Sequence, residues 1–216
     1  MLQERVNNNL TKLKPNEYLI SFTAGGLLAE ETRAVISYLN EKEISRLPEE
    51  IKNNLHLQTN SQASRQRVVQ ELKKRYRVVG QATFDLFQES DNQQQNILIF
   101  YSCAKIYTIL FDFLFGPITE KWLTRDLTIN KSDVNHFLDL QSNSHPEIDR
   151  WTDTTREKVA TVMIRMLKEV GLLRLGELQQ LDAPDTFWRH FVEQGDVWFL
   201  QAMLLSKEDR TRIVHE

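Results

Sequence analysis

The first third of the chain contains three stretches in which apolar residues recur at helical spacing. The first stripe runs from Leu27 to Leu39. The run Leu47-Pro48-Glu49-Glu50 places a proline in a first turn, which favours the start of a second, short helix. A third helix is capped by Ser61 or Asn60, and we expect it to end near Arg77.

These stretches divide the N-terminal part of the chain in two. Residues 1–17 have weak periodicity and are expected to form a flexible arm. Three helices in close succession, the last one basic, predict a helix-turn-helix-like unit over residues 18–80. The polar loop before the third helix is longer than the usual 3–4 residues of that motif, so the match is a loose one.

Residues 81–145 are predicted to be an apolar helical core, with a break at Gly116-Pro117. Its centre, Ile97 to Phe115, has 15 apolar residues in 19, close to the length that spans a bilayer. The four exceptions lie on one narrow stripe of a helix, and they are Ser102, Lys105, Thr108 and Asp112. Two ionisable residues are costly in a lone membrane helix, so we expect the central helix of a soluble core. Lys105 and Asp112 either reach water or form a buried pair.

Residues 146–216 are predicted to form a winged-helix-like unit after a linker at 141–146. The pattern Thr154-x-x-Glu157 is typical of a capping box that opens a long helix, and Gly171 ends that helix. The segments on either side of Gly176-Glu177 can pair as a small hairpin. Two short helices should follow, near Asp185–Glu193 and Asp196–Leu204, and supply aromatic side chains to the core.

The composition agrees with an all-α fold that has a possible small β-hairpin wing near the C-terminus and packs as one compact body. The 216 residues include only 7 Gly and 5 Pro. The lone Cys103 excludes an internal disulfide, and its apolar neighbours predict a buried thiol. Because no secretory leader opens the chain, we expect a cytoplasmic protein.

Positive charge is concentrated in the third helix. Residues 61–79 carry +5 while the whole chain carries −3, which leaves −8 for the remainder. The apolar residues of this helix cluster on one side. The opposite side carries Arg67, Gln70, Lys74 and Arg77, flanked by Gln66 and Lys73. A face of bases and amides has the donors that phosphates and base edges require, so nucleic-acid contact is predicted here. The alternative is a helix face that is merely exposed to water.

A second basic face is weaker. The long helix that follows residue 153 directs Lys158, Arg165 and Lys168 outward, but Glu157 and Glu169 dilute the charge. These three bases are a secondary nucleic-acid candidate, and an ordinary exposed surface is the favoured interpretation.

Signatures of catalysis are missing from the sequence. It contains no phosphate-binding glycine loop of the P-loop or Rossmann type, no G-x-S-x-G and no H-E-x-x-H. The five histidines lie far apart, none at the spacing of metal ligands. We therefore expect a protein that is not an enzyme, with no metal, no cofactor and no small-molecule substrate.

Two motifs indicate a family. SFTAGGLLAEETR occupies residues 21–33, and WTDTTREKV occupies residues 151–159 and continues to LKEVGLL at 167–173. With the apolar middle, they resemble the BrxA family of bacteriophage-exclusion (BREX) defence systems over roughly residues 18–205. The resemblance implies an all-helical cytoplasmic protein that acts beside a methyltransferase and ATPases in phage defence. The family has been compared with the RNA-binding factor NusB and has been linked to DNA binding. It implies no catalytic residues, so the site residues above come from helix geometry alone.

Two classes of function follow from the sequence. The first is a nucleic-acid-binding module that prefers double-stranded DNA to RNA, because no basic strand carries aromatic residues that would stack on single-stranded bases. The second is an adaptor that binds other BREX proteins through the acidic remainder of its surface. A NusB-like RNA-binding protein is a further alternative, and no membrane partner is expected.

Overall fold

Helices dominate residues 17–215, the part of the chain that the computed structural model describes. The α-helices are α1 (Ala29–Ala34), α2 (Glu50–Asn53), α3 (Gln62–Glu89), α4 (Asn92–Ile106), α5 (Thr108–Phe113), α6 (Thr119–Thr124), α7 (Lys131–Gln141), α8 (Asp153–Val170), α9 (Asp185–Glu193), α10 (Trp198–Ala202) and α11 (Lys207–His215). An antiparallel pair, β1 (Leu173–Arg174) and β2 (Glu177–Leu178), lies between α8 and α9. The predicted mainly helical fold with a small hairpin is thus confirmed. Except for Glu17, the predicted flexible arm lies outside the described residues.

The core is centred on α4, which packs against α3, α5 and α8. Every residue from Ile97 to Ala104 is buried, and the predicted core position of this segment is confirmed. It is not one helix, however. Tyr107 adopts an extended conformation (φ −108°, ψ 96°), and the chain bends by 107° between α4 and the stretch that begins at Thr108.

The polar stripe of this segment is divided by the bend. Lys105 pairs with Asp196, with 2.5 Å between Nζ and Oδ2. Asp112 instead accepts a hydrogen bond of 2.6 Å from the Tyr18 hydroxyl. The pairing of Lys105 with Asp112, one of the two expected alternatives, is therefore wrong. Over residues 17–215 no single helix is both long and apolar enough to cross a membrane, and only the bent pair that starts with α4 reaches that length and composition.

Helix α3 begins where the sequence predicts but ends later. The Ser61 side chain accepts a hydrogen bond of 3.1 Å from the Ser64 amide and caps the helix. The helix continues beyond Arg77 to Glu89, because buried Phe84 and Phe87 extend its apolar side. At Gly80 the backbone leaves helical geometry (φ 75°, ψ −179°), so α3 consists of two helical segments. A positive φ of this size favours glycine.

The remaining N-terminal elements are shorter than predicted. Leu28 has a left-handed conformation (φ 55°) and delays the start of α1 to Ala29. A 3-10 turn at Leu47–Glu49 with Pro48 inside it leads directly into α2, as the proline predicts. The predicted break at Gly116-Pro117 is a π-helical turn, Leu114–Ile118, which joins α5 to α6.

Two local predictions in the C-terminal part need correction. Thr152, not Thr154, caps α8 by accepting a hydrogen bond from the Thr155 amide, and Glu157 pairs instead with Lys131. The hairpin turns at Leu175-Gly176, one residue before the predicted turn, and both residues have positive φ (53° and 88°). This matches the primed turns of tight hairpins. The second predicted short helix is reduced to α10, and α11 was not predicted.

A buried arginine connects α3 to the rest of the fold. Arg75 is only 2% exposed and donates hydrogen bonds to the carbonyl oxygens of Gly26 (2.9 Å) and Leu27. Its Nε also donates to Glu71 over 2.9 Å. Glu71 in turn accepts from the Tyr107 hydroxyl, which lies 2.7 Å from each carboxylate oxygen. One side chain of α3 therefore holds both the loop before α1 and, through Glu71, the junction of α4 and α5.

We expect Arg75→Ala to lower the free energy of unfolding by about 3–5 kcal/mol, because it leaves the largely buried Glu71 carboxylate without its cation. Urea denaturation followed by far-UV circular dichroism measures the change. The matched control is Arg77→Ala, which removes an exposed arginine two residues away and should change stability by less than about 0.5 kcal/mol. Equal urea midpoints for the two variants would contradict this role of Arg75.

Candidate nucleic-acid interface

The predicted basic face of α3 is largely exposed. Arg67, Gln66, Gln70 and Arg77 are exposed, whereas Lys73 and Lys74 are half-buried. We call these six residues the α3 stripe. The apolar side packs inward as predicted, with Val69, Leu72 and Tyr76 buried and Val68 half-buried.

The four cations of the α3 stripe have no ion-pair partner among residues 17–215. Elsewhere on the surface many cations are neutralised locally: Arg46 by Glu43 and Glu49, Lys121 by Asp126 and Asp133, Arg156 by Asp139. The four cations of the α3 stripe are therefore available to pair with an external anion. They are Arg67, Lys73, Lys74 and Arg77.

Two of the six bases counted in residues 61–79 do not belong to this surface. Arg75 is buried and binds backbone carbonyls. Arg65 donates hydrogen bonds to the carbonyl oxygens of Ile51 (2.9 Å) and Thr59 (2.6 Å), which fixes the loop between α2 and α3. The one acid of the segment, Glu71, is occupied by Arg75 and Tyr107.

A cavity of about 650 Å³ lies between α3 and the segment from Ser21 to Leu28. We call it the α3 pocket. Arg67, Gln70 and Lys74 line it, so the structure brings three of the four principal predicted residues together in one concave site. Arg77, Gln66 and Lys73 are outside its lining and face the surface. The lining also includes Ser21, Phe22, Thr23, Leu28, Glu31, Ser64 and Val68, and on α3 itself Glu71 and Arg75.

Lys74 has the most distinctive environment of the α3 stripe. Its ammonium nitrogen lies 4.5 Å from the centre of the Tyr107 ring, within the range of a cation–π interaction. Burial lowers the pKa of Lys74, and the nearby Glu71 carboxylate opposes that shift. Burial also raises the pKa of Tyr107, so its hydroxyl stays protonated and donates to Glu71.

The secondary candidates on α8 are exposed but less uniform. Lys158 and Lys168 lie on the surface, whereas Arg165 forms an ion pair of 3.5 Å with Glu169. The Arg165 guanidinium also lies against Gly26, where an added Cβ would come within 2.6 Å of Nη2. Arg165 therefore contacts the same loop that Arg75 binds.

Sequence reasoning missed Tyr107, Glu31 and Thr23 as parts of this site. The pattern of residues 21–33 predicts the start of a helix and carries a family motif. Periodicity does not predict that these residues lie beside α3. Within the described ranges, no group of three or more His, Cys, Asp or Glu residues could hold a metal ion.

Comparisons with known proteins agree with the resemblance. The family model described as BrxA matches residues 16–184. A curated protein of Bacillus cereus (strain H3081.97) named "BREX protein BrxA" is 23% identical over 176 residues, which cover 81% of this chain and 82% of that protein.

A solved structure has a similar fold. It is described as "Crystal structure of an uncharacterized protein from Magnetospirillum magneticum" and superposes with a TM-score of 0.73. At 18% identity it covers 88% of this chain and 100% of its own, and it supports the fold alone. The family match extends over most of the chain and includes both the α3 stripe and the loop that packs beside it. The chain belongs to the BrxA family.

Proposed function

We propose that this protein is a non-enzymatic component of a bacterial BREX phage-defence system and binds double-stranded DNA through the α3 stripe. The observation that carries the proposal is the set of four cations on one helix face without ion-pair partners among the described residues. The BREX assignment rests on the family and on the name of the Bacillus cereus relative.

The chemistry of the α3 stripe favours a duplex. Arginine and lysine bind phosphate oxygens, and the amides of Gln66 and Gln70 can donate to and accept from base edges in a major groove. Single-stranded nucleic acid is usually held by exposed aromatic side chains on which bases stack. The α3 stripe carries no aromatic residue, and Tyr76 of the same helix is buried.

The surroundings of α3 support a helix-turn-helix-like role only in outline. Helix α2 precedes α3, as the first helix of that motif precedes the recognition helix. It is only Glu50–Asn53, however, and the loop that joins it to α3 is long. The proposal therefore rests on charge and exposure, not on the geometry of the motif.

A protein-interaction adaptor within the BREX assembly is the second candidate. Large apolar side chains on the surface favour it: Leu175 at the hairpin tip is 98% exposed, and Leu123 is 75% exposed. Isolated exposed leucines are common on soluble proteins, so this observation is weaker than the unpaired cations.

Duplex binding should depend steeply on salt. Four cations that each neutralise a phosphate predict a slope of log affinity against log salt of about −3.6. Lys73→Ala should reduce the magnitude of that slope by about 0.9 and weaken all sequences alike. Fluorescence anisotropy with a random duplex over a series of salt concentrations measures both.

The control for this titration is Lys207→Ala, which removes an exposed lysine at the start of α11. It should leave the slope unchanged. If Lys73→Ala and Lys207→Ala had the same effect, binding would reflect general surface charge and not the α3 stripe.

Charge reversal should abolish binding altogether. Arg67→Glu with Arg77→Glu changes the charge of the α3 stripe by −4, and both positions are exposed, so the variant should fold normally. Binding to a DNA duplex and to an RNA duplex of the same sequence is compared by gel shift, with circular dichroism to verify folding. Intact DNA binding in the folded variant would refute the proposal and favour the adaptor. Stronger binding of the wild type to the RNA duplex would favour the NusB-like alternative.

A further inference from the structure

A helix face that binds a duplex does not require a pocket as large as the α3 pocket. Its volume of about 650 Å³ falls within the 300–1,000 Å³ typical of small-molecule sites. Its wall combines cations, two acids, hydroxyl groups and apolar side chains. No motif in the sequence predicts a small-molecule site. The pocket forms because Arg75 holds the Ser21–Leu28 segment beside α3.

The cations of the pocket have no carboxylate free to pair with them among the described residues. Glu71 lines the same side, but its carboxylate accepts hydrogen bonds from Arg75 and Tyr107. Lys74 is half-buried, and within residues 17–215 its ammonium group meets the Tyr107 ring but no carboxylate at ion-pair distance. Arg67 lines the same pocket and is likewise unpaired among the described residues. Burying a charge is costly unless the charge is paired, so a phosphate group in the pocket would stabilise the half-buried Lys74 ammonium, and the exposed Arg67 is a second donor for it.

The opposite wall differs in chemistry. Glu31 is half-buried, lines the pocket, and its carboxylate has no hydrogen-bond donor in the described part of the chain. The Thr23 hydroxyl also lines the pocket and forms no hydrogen bond to residues 17–215. A carboxylate cannot bind a phosphate, but it accepts hydrogen bonds from the hydroxyl groups of a ribose.

Apolar side chains also belong to the lining. They are Phe22, Leu28 and Val68. A ligand that fits has an anionic end, a hydroxyl-bearing centre and a flat apolar part.

We infer that the α3 pocket binds a nucleoside 5′-phosphate, with the phosphate at Lys74 and Arg67 and the ribose hydroxyls at Glu31. The ligand is either a free mononucleotide or the 5′ end of a nucleic-acid strand, since the two share this chemistry. The site goes beyond the proposed duplex contact, which does not use Glu31 or the wall of the pocket. Arg67 and Lys74 belong to both sites, whereas Lys73 and Arg77 belong to the duplex contact alone.

Isothermal titration calorimetry in phosphate-free buffer tests the inference with the four ribonucleoside 5′-monophosphates, each alone, and with the corresponding nucleosides. At least one monophosphate should bind, and its nucleoside should bind about tenfold more weakly or not at all, because the nucleoside lacks the charge-assisted hydrogen bonds of the phosphate. The inference would be overturned if none of the four monophosphates bound at millimolar concentration and a 5′-phosphorylated oligonucleotide did not bind either.

Neighbouring lysines provide the matched control. Lys74→Ala should weaken binding of the monophosphate by about tenfold or more, and Lys73→Ala, which removes the same charge outside the pocket, should leave it within about twofold. Arg67→Ala gives a second variant at an exposed position in case Lys74→Ala folds poorly. If Lys73→Ala and Lys74→Ala lost the same amount of affinity for the monophosphate, binding would reflect general electrostatics and the proposed pocket site would be refuted.

Two further measurements identify the ligand. The 2′,3′-dideoxy analogue should bind the wild type more weakly than the ribonucleotide, and Glu31→Gln should narrow that difference. Equal affinities in the wild type would refute the ribose assignment. A 5′-phosphorylated oligonucleotide compared with its 5′-hydroxyl form distinguishes a strand end from a free nucleotide.

The duplex proposal can fail independently. Weaker duplex binding by Lys73→Ala and Arg77→Ala tests that surface, whereas neither variant should alter binding of the mononucleotide. If the protein bound the mononucleotide but no duplex, the inferred pocket site would stand and only the proposed duplex binding would be refuted.

Discussion

The fold depends on one buried cation. Arg75 lies within the core and is hydrogen-bonded to two backbone carbonyls and a carboxylate, and these partners compensate its buried charge. Its partners belong to separate parts of the chain: the loop before α1, α3 itself and, through Glu71 and Tyr107, the bend between α4 and α5. Ser21 extends the network, since its hydroxyl lies 2.9 Å from that of Tyr107. A hydrophobic side chain could fill this space but could not fix the rotation of α3, because apolar contacts have no direction.

Fixing that rotation determines how the charge of α3 is used. Arg75 and Arg65 bind backbone oxygens, and Glu71 is occupied, so the bases that remain at the surface are those with no partner among the described residues. The hydrogen bonds of Arg75 to Gly26 and Leu27 hold the Ser21–Leu28 segment beside α3, with a cavity between that segment and Lys74. The α3 stripe and the α3 pocket are thus two results of one structural arrangement.

Periodicity predicted the parts of the fold that depend on local sequence. The cap at Ser61, the inward face of Val69, Leu72 and Tyr76, and the end of α8 at Gly171 need only neighbours a few residues away. The extended conformation of Tyr107 was not predicted, because its hydroxyl is held by Glu71, 36 residues earlier. A helix rotation of 100° per residue places Arg75 beside Val68 on the apolar side, but the carbonyl groups of Gly26 and Leu27 that bind it there lie about 50 residues earlier and leave no local pattern. Candidate residues on a single helix were therefore accessible from the sequence, whereas the loop that packs against them was not.

The break at Gly80 limits the length of any surface that α3 can offer. Before it, the cations of the α3 stripe extend from Arg67 to Arg77, about 15 Å along the axis at 1.5 Å per residue. After it, the chain changes direction and buries Thr83, Phe84 and Phe87. One turn of B-form DNA is about 34 Å long, so a duplex against this helix would be contacted over less than half a turn. A footprint of four or five base pairs is too short to define a unique genomic address, which would have to come from a second copy or another protein of the assembly.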